Sequence, residues 1–146
     1  MTRVPTLHGA RFPPLEIFDM NKSGGMSAPF AILLGVFLLI EGIWGMTSPV
    51  VFGVFTTNWL HASIHIILGI LGVWTGVKGG SRGYCSFVGW LLALVGILYF
   101  VPVVGAIITS LLAVNSAVAI FNIIVGIVAI LIARASRPDV VVVHAP

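Results

Sequence analysis

The chain has 146 residues, of which 59% are hydrophobic and 8% charged, with a mean hydropathy of +1.17 and a net charge of +3. A water-soluble domain carries about a quarter charged residues, so this composition excludes one and places the chain in a bilayer. The single cysteine, Cys85, excludes an intramolecular disulfide and a cysteine-rich metal site.

Residues 1–28 contain Pro5, Pro13, Pro14, Gly24 and Gly25 around an apolar patch at Leu15, Ile17 and Phe18. They read as a cytoplasmic tail that cannot fold alone. Four apolar runs follow, at about 29–46, 59–77, 85–107 and 116–133. Each is long enough to span roughly 30 Å at about 1.5 Å per residue. No small-residue cleavage pattern follows the first run, which therefore reads as an uncleaved span. The run from Gly79 to Gly83 reads as a tight connection rather than an anion cradle. A second cytoplasmic tail, 135–146, includes four consecutive valines at 140–143. The fold expected is an all-α membrane protein with one four-helix transmembrane domain over 29–134.

All seven Lys and Arg residues fall on one side of such a four-span chain: Arg3, Arg11, Lys22, Lys78, Arg82, Arg134 and Arg137. Cytoplasmic segments collect these residues, so both termini and the central loop are expected inside, as in a bacterial inner membrane protein. Trp44, Trp59, Tyr99 and Phe100 suit the outer interface, and Tyr84 and Trp90 the inner one. Seven cations spread over three segments do not form a basic groove, so lipid headgroups, and not nucleic acid, are the expected partner of this charge.

The chain repeats itself. Asn58, His65, Gly69, Gly72 and Gly76 match Asn115, Asn122, Gly126, Ala129 and Ala133, and Gly35 and Gly42 match Gly89 and Gly96. Two tandem helical hairpins of the same orientation follow, a parallel internal repeat. At about 100° per residue, each set of small residues makes one narrow stripe, expected to pack against a neighbouring helix. Asn58, Asn115 and Asn122 are expected to form polar clamps beside the stripes.

Glu41 is the one acid inside a span, and a charge there is costly unless paired, protonated or wet. It lies about 7 Å below the outer end of the first helix, with His61 about 4 Å and His65 about 10 Å down the second. His61 and His65 share a face, one turn apart, and an antiparallel neighbour brings Glu41 beside them. Two histidines and a carboxylate suit a divalent metal, a neutral histidine suits a haem or (bacterio)chlorophyll, and the trio suits a proton relay. A hydrogen-bonded clamp fixing the hairpin is the plainest use of the same residues. Asn122, at the place of His65 in the second repeat, can hydrogen-bond but ligates metals poorly.

The run from Val51 to His65, followed by Leu68-Gly69-Ile70-Leu71-Gly72, resembles the signature of a family of small four-span bacterial membrane proteins of unknown function. The resemblance covers about 28–134, and its specific part is the Phe-Gly, Asn and His-x-x-x-His block. It implies that His61 and His65 matter to the fold or to a site, and it implies no activity. No Ser or Cys in the spans has the context of a nucleophile with a histidine base. The leading expectation is a non-catalytic accessory or structural subunit of a larger membrane complex, of respiratory or photosynthetic type, contacting other membrane subunits. A metal- or tetrapyrrole-binding protein centred on His61 and His65 is the alternative, and a small proton or solute transporter the third.

Overall fold

The apolar runs become helices because their backbone polar groups have no water to bond in a bilayer and must be satisfied within each segment. A computed structural model describes residues 25–136, so the two expected tails lie almost wholly outside the described residues. The elements are α1 (Ser27–Gly45), β1 (Val50–Val51), β2 (Phe55–Thr56), α2 (Trp59–Lys78), α3 (Ser81–Tyr99), α4 (Val104–Leu112) and α5 (Ser116–Ala135). Four of them, α1, α2, α3 and α5, are long and apolar enough to cross a membrane. The chain is an integral membrane protein built as two helical hairpins, α1 on α2 and α3 on α5. The end carrying the small sheet and α4 is called the hairpin end, and the end carrying Ser27 and Ser136 the terminal end.

The third span departs from its expected bounds of 85–107. Its helix begins earlier, so that only Gly79 and Gly80, with φ of +103° and +92°, form the connection to α2. It also ends earlier, at Tyr99, because Pro102 cannot continue the helical bonding. Val103 has φ +69° and ψ −55°, and Val104 N donates to Pro102 O at 2.8 Å, a γ-turn that starts α4. The rest of the expected span is therefore a separate helix folded back over the end of α3. The connection from Thr47 to Asn58 holds an antiparallel strand pair. Phe52, with φ +52°, and Gly53, with φ +72°, make its turn.

Glycines set the packing within each hairpin. A Cβ on Gly35 would lie 2.7 Å from Gly69 O and from Val73 N, and one on Gly69 would lie 2.7 Å from Gly35 O. Only glycine on both helices permits that approach, and close backbone contact replaces hydrophobic burial as the source of attraction in lipid. The second hairpin repeats the contact, with Gly89 against Gly126 O and Ile130 N. Further along, Gly42 lies on Ala62 and Ile66, and Gly96 on the matching Ala119 and Ile123. Gly76 rests on Ala28 and Ile32, Gly72 meets the Tyr84 ring, and Ala129 and Ala133 are buried.

The two hairpins are related by an approximate two-fold axis between α1 and α3. Ser27 Oγ and Ser81 Oγ, equivalent residues 54 apart, meet at 2.9 Å near the terminal end. At the hairpin end, Thr56 Oγ donates to its equivalent 57 residues on, the carbonyl of Ala113. Leu34, Leu38, Val88 and Leu92 fill the core between them, while large apolar side chains face outward towards lipid. Trp44, Trp59 and Phe100 are exposed at the hairpin end, as interfacial residues are. Tyr84 and Trp90 do not act as the expected inner belt. Tyr84 is buried and donates its hydroxyl to Leu68 O at 2.9 Å, and Trp90 projects outward from the middle of α3.

Candidate functional site

The polar residues of the first hairpin gather near the hairpin end, and their placement starts from one cap. Asn58, in extended conformation, accepts from His61 N at 3.0 Å and so begins α2. Its Nδ2 donates to Leu111 O at 2.8 Å, at the end of α4 in the other repeat. Asn115 begins α5 in the same way, accepting from Val118 N at 2.9 Å and donating to Val54 O at 2.8 Å. The two asparagines thus exchange equivalent bonds between the repeats.

The cap directs His61 at the end of α4, where its Nδ1 lies 3.1 Å from Leu112 O. His65 follows one turn later on the same face. The two Nε2 atoms are 3.0 Å apart, with the rings edge-on at 71°. His65 Nδ1 lies 3.1 Å from Glu41 Oε2 on α1, where Gly42 lets the two helices close. Glu41, His61 and His65 are 3%, 3% and 4% exposed. They form one buried chain of three contacts, from the α1 carboxyl through two imidazoles to a backbone carbonyl of the second repeat.

The structure brings together the three residues expected to meet, but in a line and not around a point. Among the described residues no group of three His, Cys, Asp or Glu side chains converges as a metal ligand set. Glu41 occupies the Nδ1 side of His65, which is the position of a carboxylate that orients a ligating histidine from behind. A metal here would have the two Nε2 atoms as its protein ligands. A tetrapyrrole would need one of those nitrogens turned away from the other histidine.

Asn122 is placed differently from the other two asparagines. It is 3% exposed on α5, and its amide makes no hydrogen bond among the described residues. The reason lies opposite, since Glu41 and His61 have Val95 and Val118 as their counterparts in the second repeat. The carbonyl of Leu112 could not be foreseen as a member of the site, because it depends on α4. Beside the chain, Phe37, Phe52, Phe55 and Phe121 form a closed ring of aromatic contacts with centroids 5.1–6.2 Å apart. It packs the strand pair against α1 and α5.

The chain matches no family model, no curated protein and no solved structure.

Proposed function

We propose that the chain is a non-catalytic accessory subunit of a larger membrane assembly, in a bacterial inner membrane with both termini on the cytoplasmic side. The observation that carries this reading is one outward face of α3. Gly83, Ser86, Phe87, Trp90 and Leu94 line an open groove of about 510 Å³. A Cβ on Gly83 would meet nothing within 4 Å, so its smallness serves no contact among the described residues. Trp90 is 58% exposed at mid-span, away from the interfaces where tryptophan concentrates.

The internal repeat supplies a control. The corresponding face of α1 carries Pro29, Ile32, Leu33, Val36 and Ile40, an aliphatic surface suited to acyl chains. The α3 face pairs small residues with large aromatic ones, the composition that lets another helix approach closely. Glu41, His61 and His65 are bonded to one another and to Leu112 O, which suits a scaffold. The side bearing all the Lys and Arg residues supports the orientation.

The test is the native mass of the protein extracted in mild detergent from its own membranes. The expected particle is many times the 15.5 kDa chain, and Trp90→Ala releases the chain from it while Val36→Ala on the matched face does not. A wild-type particle of one chain or a small multiple overturns the reading.

A further inference from the structure

The hydrogen-bond geometry of the buried chain fixes how many protons it holds. Leu112 O only accepts, so His61 Nδ1 carries a hydrogen. Three contacts remain satisfied only with three hydrogens, and there are three ways to place the other two. Glu41 is protonated and donates to His65 Nδ1, while His65 Nε2 donates to His61. Alternatively His65 is an imidazolium between the Glu41 carboxylate and His61 Nε2. In the third form the imidazolium is His61, which donates to His65 Nε2, while His65 Nδ1 donates to the carboxylate. Each form differs from the next by moving one proton along an existing hydrogen bond, and all three have zero net charge.

One proton fewer leaves a charge of −1 and only two hydrogens for three contacts. Two lone pairs then face each other across one contact, at the Glu41–His65, the His61–His65 or the His61–Leu112 junction. One proton more leaves a buried charge of +1, with either two donors in opposition or a hydrogen on Glu41 Oε1 that none of the three contacts takes up. Among the described residues no neighbouring group can compensate. Glu41 is the one acid among the described residues, and Lys78, Arg82 and Arg134 lie at the terminal end. The other elements packed around the site contribute no charge near it. On α3 the titratable groups are Tyr84 and Cys85 towards the terminal end and Tyr99 at its far end; α4 contributes carbonyls, and α5 presents the uncharged Asn122.

The geometry points to a binding site for one exchangeable proton on Glu41, His65 and His61, whose occupancy lets all three contacts, the tie of the first hairpin to the end of α4 included, be made at once. Within the site the proton passes from the Glu41 carboxyl to His65 Nδ1 while His65 Nε2 gives its own to His61 Nε2. Release of the proton breaks one of the three contacts, and in the form that loses the bond of His61 Nδ1 to Leu112 O one tie between the repeats goes with it. This inference is independent of whether the chain has partners.

Nitrogen-15 NMR of the histidine-labelled full chain in lipid nanodiscs tests it, with His8 and His144 as internal references. The expected result is a single one-proton step that moves the His61 and His65 signals together. In Glu41→Gln the amide donates to His65 Nδ1, so all three contacts persist without the shared proton and the joint step is lost. Separate titration of the two histidines, absence of any step in the wild type, or the same step in Glu41→Gln overturns the proposal. If the variant does not fold, the wild-type titration decides alone.

Discussion

The two hairpins have the same glycine seam, yet the first carries a chain of ionisable groups where the second is nearly all apolar. Glu41, His61 and His65 stand where Val95, Val118 and Asn122 stand, and the helices around both sets pack alike. A bilayer protein therefore does not need the histidine chain to hold two helices together at this spacing. The glycine contact does that in both halves, and the polar chain adds a connection to α4 that the second half lacks.

Five substitutions break or sharpen this comparison. The largest effect belongs to what the hairpins share. Gly35→Leu drives a side chain into the backbone of Gly69 and Val73, and a loss of about 3 kcal/mol or more is expected. Gly89→Leu should cost as much, and thermal unfolding in detergent compares the two. A large effect in one hairpin alone would show that the seams are unequal. Next comes Glu41→Ala, which leaves His65 Nδ1 buried without its partner and costs about 1–3 kcal/mol. Val95→Ala at the matching place removes no hydrogen bond and should cost less. The smallest effect is expected for Asn122→Leu, which removes a buried amide with no partner among the described residues. It should be neutral or stabilising by about 1 kcal/mol. A clear loss would reveal a bond to Asn122 that the packing conceals.

Much of the architecture was legible in the sequence because hydropathy and small-residue spacing report directly on bilayer helices. The starts of α2 and α5 coincide with Asn58 and Asn115, whose side chains cap them. The break of the third span was not read, although Pro102 marks it, because the apolar run continues unchanged through α4 and hydropathy does not register a γ-turn. Tyr84 was misplaced for a related reason. An aromatic near a helix end looks interfacial until the close approach at Gly72 makes room for it. The meeting of Glu41, His61 and His65 was readable from their depths, the shared face of the two histidines and the antiparallel pairing of the helices. Their linear order was not, since it depends on Leu112 O, a backbone atom without any signature in the sequence.

The reciprocal bonds of Asn58 to Leu111 O and Asn115 to Val54 O have the form of an isologous dimer contact folded into one polypeptide. Two separate copies of a single hairpin could make both bonds by symmetry. In such a dimer every substitution appears twice, so a glutamate and two histidines would be buried on both sides of the axis. Covalent linkage through Gly79 and Gly80 removes that constraint and allows one half to keep ionisable groups while the other replaces them with valine and asparagine. The approximate axis thus records a shape that can be assembled from equals, and the unequal residues beside it record a freedom that two identical copies lack.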